Sequence, residues 1–237
     1  MNKGKNIVVA HRGAWKKNGL PENSIASLQE AIRLGCAGSE FDVHITADDS
    51  LVINHDNEFA GKPIEKTAYA ALAETKLSNG ETIPTLRQYL LAGLHQQKTK
   101  LVVEIKPSTT SKERGIYATE KIVALVQELK AASHVMYISF DYDIVKRLRA
   151  LQPAANVAHL NGDKTPEQLK ADNITGADYN FNVYKKNQDW ITDAKKKNIE
   201  LNVWTVNNKE DMQWFINNKF DYITTNEPEL LLELMNK

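Results

Sequence analysis

The chain has 237 residues, enough for one large domain or two small ones. A hydrophobic content of 42% with 25% charged residues excludes extensive disorder. Its 30 Lys+Arg balance 30 Asp+Glu, so the broad basic field of a nucleic-acid binder is absent and an anionic ligand must be held by local charges.

Short β-branched runs alternate with amphipathic windows along the chain. The predicted strands are 6–11, 40–46, 100–106, 135–140, 156–160, 177–183, 200–206 and 221–225. Between them the spacing predicts helices over 24–34, 86–94, 116–131, 143–151, 166–171, 189–197 and 209–217, with a last helix over 227–235. Helix starts carry side-chain oxygens for free N–H groups: Asn23 or Ser24, Thr85, Asp141 and Asn208. Pro166 and Pro228 suit a first turn, where the missing N–H costs nothing. Runs such as Ile7-Val8-Val9 and Leu101-Val102-Val103 are continuously apolar, as parallel strands covered on both faces should be. Roughly eight strands in βα alternation predict a TIM (β/α)8 barrel spanning 1–237 as one domain; an open doubly wound sheet would need about two strands fewer. The rhythm breaks once. Residues 48–50 read as a turn and 51–54 as a hairpin partner. The stretch 57–84, punctuated by Gly61, Pro63, Gly80 and Pro84, reads as a short inserted loop region with one helix over 68–73.

In such a barrel, functional groups gather at the C-terminal ends of the strands. The first strand ends at His11-Arg12-Gly13, a titrating group beside a bidentate anion-binding group, with a glycine that permits a tight turn. A structural histidine and a surface arginine would look the same. On the second strand, Glu40 and Asp42 share a face, and both point into the barrel if Phe41 packs outward. Two desolvated carboxylates repel, and a divalent cation removes the difficulty; hard oxygen ligands favour Mg2+ or Ca2+ over zinc. On the third strand Glu104 and Lys106 again share a face. Glu104 would complete a three-carboxylate set, and Lys106 is a point charge suited to a phosphate oxygen. A plain buried ion pair is the competing reading.

His55 and Asp56 follow the hairpin, near the same mouth as His11. Two imidazoles can divide acid and base work, with Asp56 orienting His55 or simply capping the loop. His44, His95, His134 and His159 are expected to be structural, without a partner in sequence. Trp204, ending the seventh strand, either walls the mouth or is ordinary core. Cys36 sits among apolar neighbours and is expected to pack as a small hydrophobe. There is no phosphate-binding glycine loop with a following Lys-Ser/Thr, no Gly-x-Ser-x-Gly elbow, no His-x-His after the first strand and no cysteine cluster.

Taken together in order and spacing, His11-Arg12-Gly13, Pro21-Glu22-Asn23-Ser24, Glu40-Phe41-Asp42-Val43, His55-Asp56, Glu104-Ile105-Lys106, Trp204-Thr205-Val206-Asn207 and Ile223-Thr224-Thr225-Asn226-Glu227-Pro228 resemble the glycerophosphodiester phosphodiesterase family. The resemblance implies a TIM barrel with a small insertion after the second strand, and 57–84 is short for it, which implies a reduced or open substrate pocket. It implies that His11 and His55 are the acid/base pair, that Glu40, Asp42 and Glu104 hold one divalent cation, and that Arg12 and Lys106 contact phosphate. Glu22 and Asn23 would support the site. A substrate hydroxyl would attack phosphorus, and water would open the cyclic phosphate to give glycerol 3-phosphate. His44, Ile45 and the polar segment 108–115, expected to border the pocket, leave headgroup specificity open.

Two alternatives remain. Phospholipase D-like enzymes of venoms share two histidines, a Glu-x-Asp pair and a late tryptophan, but that reading needs an apolar docking surface and usually disulfides. A non-catalytic cation- or phosphate-binding barrel would have no need of His55 beside His11. The expected partner is a small glycerophosphodiester, with no nucleic acid and no integral membrane association, since no apolar run nears the roughly 20 residues of a membrane helix. Oligomeric state is open. With no signal peptide at Met1–Lys5, the expected compartment is the cytoplasm, or the periplasm if a leader has been removed.

Overall fold

The computed structural model describes residues 5–235. In chain order, β1 (Val8–Ala10) leads through α1 (Ile25–Leu34) to β2 (Gly38–Ile45) and β3 (Leu51–Ile53). A two-stranded hairpin, β4 (Glu58–Phe59) and β5 (Lys62–Pro63), then a 3-10 turn (Ile64–Lys66) and α2 (Tyr69–Leu72), precede α3 (Leu86–Gly93). Regular alternation follows: β6 (Lys100–Ile105), α4 (Lys112–Glu128), β7 (Val135–Ser139), α5 (Tyr142–Leu151), β8 (Val157–His159) and α6 (Pro166–Ala171). The chain ends with β9 (Gly176–Asn180), α7 (Phe181–Lys186), α8 (Gln188–Lys196), β10 (Glu200–Trp204), α9 (Lys209–Asn217), β11 (Tyr222–Thr225) and α10 (Pro228–Met235).

Strands β1, β11, β10, β9, β8, β7, β6 and β2 pair in that order, all parallel, and β1 pairs with β2 to close the ring. This is the predicted TIM barrel rather than the open sheet. β3 lies antiparallel on β2 outside the ring. The continuous apolar runs have a two-sided cause. Outward residues such as Phe41, Leu101, Val103, Tyr137 and Val203 pack beneath the helices. Inward residues Val9, Val102, Met136, Ile138 and Leu160 form a separate, smaller cluster inside the barrel. Residues 57–84 gather around Val52, Ile64, Leu72 and Ile83, a core too small to stand alone.

Several predicted boundaries move. The strand expected over 177–183 stops at Asn180, whose side chain accepts from the Asn182 N–H and starts α7. The helix expected from 116 begins at Lys112, because Ser111 accepts from the Arg114 N–H and caps it there. At α1 the cap is Ser24, in a reciprocal pair with Ser27, which leaves the Asn23 side chain for other work. Cys36 is buried, and burial pushes its thiol up to about 12, so it behaves as the small hydrophobe expected. Among the described residues no helix is long and apolar enough to cross a membrane.

Candidate active site

The register of β2 and β6 sets the level of the acids. Glu40 stands opposite Val102 and Asp42 opposite Glu104, so alternate residues of two neighbouring strands project inward at nearly one height. The carboxylates of Glu40, Asp42 and Glu104 each offer an oxygen within 4.8 Å of the others, and all three residues are buried. Lys106, one step further along the same face, donates to Asp42 Oδ1 at 3.0 Å and to Glu104 Oε1 at 2.8 Å.

β1 brings His11 and Arg12 against this cluster through a tight reversal. Arg12 and Gly13 both have left-handed backbone, φ +56° and +80°, and a side chain at position 13 would collide with Ser27. The turn lets the Arg12 N–H donate to Glu40 Oε2 at 2.9 Å, while its guanidinium donates to Glu22 Oε1 at 2.9 Å and lies 3.8 Å from Asp42 Oδ2. Asn23 clasps the backbone and side chain of Asp42 at once: its Nδ2 donates to Oδ2 at 2.9 Å, and its Oδ1 accepts from the Asp42 N–H at 3.2 Å. The structure thus gathers Glu22 and Asn23 around the cluster.

The two imidazoles line the same cleft. His11 Nδ1 is 2.7 Å from Asn226 Oδ1, an acceptor, which places the proton on Nδ1 and leaves Nε2, 3.9 Å from Glu40 Oε2, with a free lone pair. Asn226 is itself set by Asn207, whose Oδ1 accepts from the Asn226 N–H at 2.9 Å. His55 Nδ1 pairs with Asp56 Oδ1 at 2.7 Å at the exposed edge of the cleft. His44 Nε2 lies 3.2 Å from the His55 carbonyl and steadies that turn.

Electrostatics follow burial. Desolvation, then the charges of Asp42 and Glu104, push the Glu40 carboxyl well above its ordinary range. Desolvation and Asp42 raise Glu104 to about 7, against the opposing pull of Lys106. Burial would raise Asp42 too, but Lys106 and the Asn23 hydrogen bond hold it below the usual value. Burial and the Arg12 charge lower His11 to about 4, so it is neutral at physiological pH. Glu40 Oε1 has no hydrogen-bond partner among the described residues. Three buried carboxylates faced by one lysine and one arginine, with an orphaned oxygen among them, fit a hard divalent cation.

The cleft has a charged side and an apolar side. His11, Arg12, Glu40, His55, Glu104 and Lys106 line one; Ile138, Phe140, Leu160 and Trp204 line the other, with Asp178, Thr205 and Thr224 among them. Trp204 therefore walls the mouth: its ring meets Phe140 edge-on at 5.5 Å, and its Nε1 donates to the Asp178 carbonyl at 2.9 Å.

Some expectations fail. The segment 108–115 does not border the cleft; Ser108, Thr109 and Thr110 instead donate to the Glu65 carboxylate, which fastens the insertion to the chain just beyond Lys106. His159 does have a partner, Asp163 Oδ1 at 2.7 Å, reached across the turn after β8. No residue of 57–84 lines the cleft. Asp178 and Asn226 belong to the site although spacing assigned them no role. The alternation Gly176, Asp178, Asn180 on one face of a buried strand was the available signal for Asp178.

Comparison with known proteins gives a consistent result. Residues 11–230 match the model of the glycerophosphoryl diester phosphodiesterase family. A glycerophosphodiester phosphodiesterase of Caldanaerobacter subterraneus subsp. tengcongensis is 30% identical over 98% of this chain and 99% of its own. The crystal structure of a glycerophosphodiester phosphodiesterase from Parabacteroides distasonis superimposes with a TM-score of 0.95, at 41% identity over 98% of each chain. An Oleispira antarctica phosphodiesterase, solved in complex with the product sn-glycerol-3-phosphate, shares the fold with a TM-score of 0.82, at 23% identity over 98% of this chain and 97% of that one.

Proposed function

This chain belongs to the glycerophosphoryl diester phosphodiesterase family, and on that premise we propose that its cleft hydrolyses glycerophosphodiesters to glycerol 3-phosphate and an alcohol. The observation that carries the reading is the convergence of Glu40, Asp42 and Glu104 beside Lys106 and Arg12, in a cleft lined by two imidazoles. Those three carboxylates would hold one divalent cation, Mg2+ or Ca2+. When bound, it supplies positive charge to the phosphoryl oxygens, usually a large contribution to catalysis.

The protein's own groups do the rest. Arg12 and Lys106 orient the phosphate by charge-assisted hydrogen bonds. His11, neutral and with Nε2 free, takes the proton of the substrate hydroxyl that attacks phosphorus. His55, held by Asp56, gives a proton to the departing alcohol. Water then opens the cyclic phosphate with the two roles exchanged. Among the described residues the large apolar side chains on the surface are Leu91 and Tyr117, on different helices, which favours a soluble substrate over a bilayer lipid.

The test is a panel of glycerophosphodiesters with choline, ethanolamine, inositol and glycerol heads, assayed with several divalent ions by release of free glycerol 3-phosphate. Turnover should vanish with chelator and return with Mg2+ or Ca2+. Full activity after exhaustive metal removal would contradict the reading.

A further inference from the structure

Asp178 sits on the apolar side of the cleft. It is 2% exposed, and its Oδ1 has no hydrogen-bond partner among the described residues. Its Oδ2 accepts from Asn202 Nδ2 at 2.9 Å, and Asn202 is fixed in turn by accepting from the Val203 N–H and the Thr224 hydroxyl. The Asp178 carbonyl holds the indole of Trp204. The carboxyl is thus anchored on one side and unsatisfied on the other, among Ile138, Phe140, Leu160 and Trp204 in the cleft wall. A buried polar atom left without a partner is costly, and such atoms usually meet water or a ligand.

The charged side of the cleft accounts for a phosphate, which leaves the apolar side for the carbon skeleton attached to it. A glycerol unit has apolar CH faces for Trp204 and Phe140, a hydroxyl beside the phosphoester that serves as nucleophile, and a second, terminal hydroxyl. We propose that Asp178 is a specificity-determining residue that hydrogen-bonds the terminal hydroxyl of the substrate's glycerol; this rests on the reading of the cleft as a glycerophosphodiester site. Burial, then the charge of Glu104, raises the Asp178 carboxyl above its ordinary range, and in either protonation state the unpartnered Oδ1 can accept from a hydroxyl. An acyl chain on that hydroxyl would remove the donor and push bulk against a buried wall, so the site selects deacylated glycerol.

The experiment compares two diesters with the same leaving group, glyceryl 4-nitrophenyl phosphate and 2-hydroxyethyl 4-nitrophenyl phosphate. Both keep the attacking hydroxyl, and only the first has the terminal one. The wild type should prefer the glyceryl diester in kcat/KM by about tenfold or more, the scale of one hydrogen bond to a buried group. D178A should bring the ratio to near one, chiefly by losing rate on the glyceryl diester, whereas D178N, which keeps a hydrogen-bonding group of the same shape, should retain most of it. D178L fills the same volume with an apolar group and reads the same loss if truncation unfolds the chain; melting temperatures establish which variants are folded. Equal losses on both diesters, or a preference that persists in folded D178A or D178L, would overturn the assignment. A wild type that hydrolyses both diesters without preference overturns it alone. Hydrolysis of neither, with no binding of glycerol 3-phosphate, removes the glycerophosphodiester reading and this inference together.

Discussion

The two halves of the barrel mouth belong to one parallel ring and carry opposite kinds of side chain. From β1 through β2 to β6 the inward positions are His11, Glu40, Asp42, Glu104 and Lys106; from β7 round to β10 they are Ile138, Phe140, Leu160 and Trp204, interrupted by Asp178. The first half concentrates charge where water is scarce and so strengthens each electrostatic contact, but it carries a desolvation cost that only opposite charge relieves. The second half carries almost no charge and shapes the space instead. On the function proposed above, reactivity belongs to the first and selection to the second.

That division can be broken by experiment. His11→Ala and His55→Ala should each slow turnover at least about 100-fold, the usual scale for losing general acid–base help, measured as initial rates of glycerol 3-phosphate release. Near-wild-type rates in both would end the two-histidine scheme. Lys106→Ala should raise KM by about tenfold and slow turnover, as expected when a charge-assisted contact to phosphate is lost. If melting temperature falls while both kinetic constants stay put, Lys106 is structural. Across the cleft, Phe140→Ala should change KM by only about threefold and leave kcat nearly intact, as removal of uniform apolar contact does. A kcat loss comparable to that of His55→Ala would erase the distinction between the halves.

The smallest effect concerns pH. Glu40 and Glu104 are raised, so in the metal-free fold they hold protons that the unfolded chain releases, and their contribution to stability falls as pH climbs from the ordinary glutamate value of 4.5 toward about 7. A bound cation requires those protons gone. The gain in melting temperature on adding Mg2+ or Ca2+ should therefore be larger at pH 7.5 than at pH 5, by about a few degrees. A gain independent of pH would mean that the ion sits elsewhere.

The halves also differ in how openly the sequence displays them. Glu40-Phe41-Asp42 and Glu104-Ile105-Lys106 declare themselves, because charged residues two apart in strands of a parallel barrel, covered on both faces, have no solvent to face. Phe140 and Leu160 look like any core residue; their place at a mouth is fixed only when the ring closes. Asp178 stands alone between Ala177 and Tyr179, with no second acid at the next inward position to mark it. The strand containing it was overextended because Phe181-Asn182-Val183 has strand-like composition, while the side chain of Asn180 decides the matter by capping a helix. The start of α4 was missed for the converse reason: Lys112–Gly115 is polar, and Ser111 sets the boundary by a single hydrogen bond. Glu65 reaches Ser108 across more than forty residues, a contact that no local pattern encodes.

Cys36, sealed in the outer core with its thiol pushed up to about 12, should make the folded protein slow to react with maleimides and other alkylating reagents. The native chain is therefore already a suitable background for site-directed labelling. A lone engineered cysteine on the rim, in the insertion for example, would accept a fluorophore or spin label without first removing any natural residue.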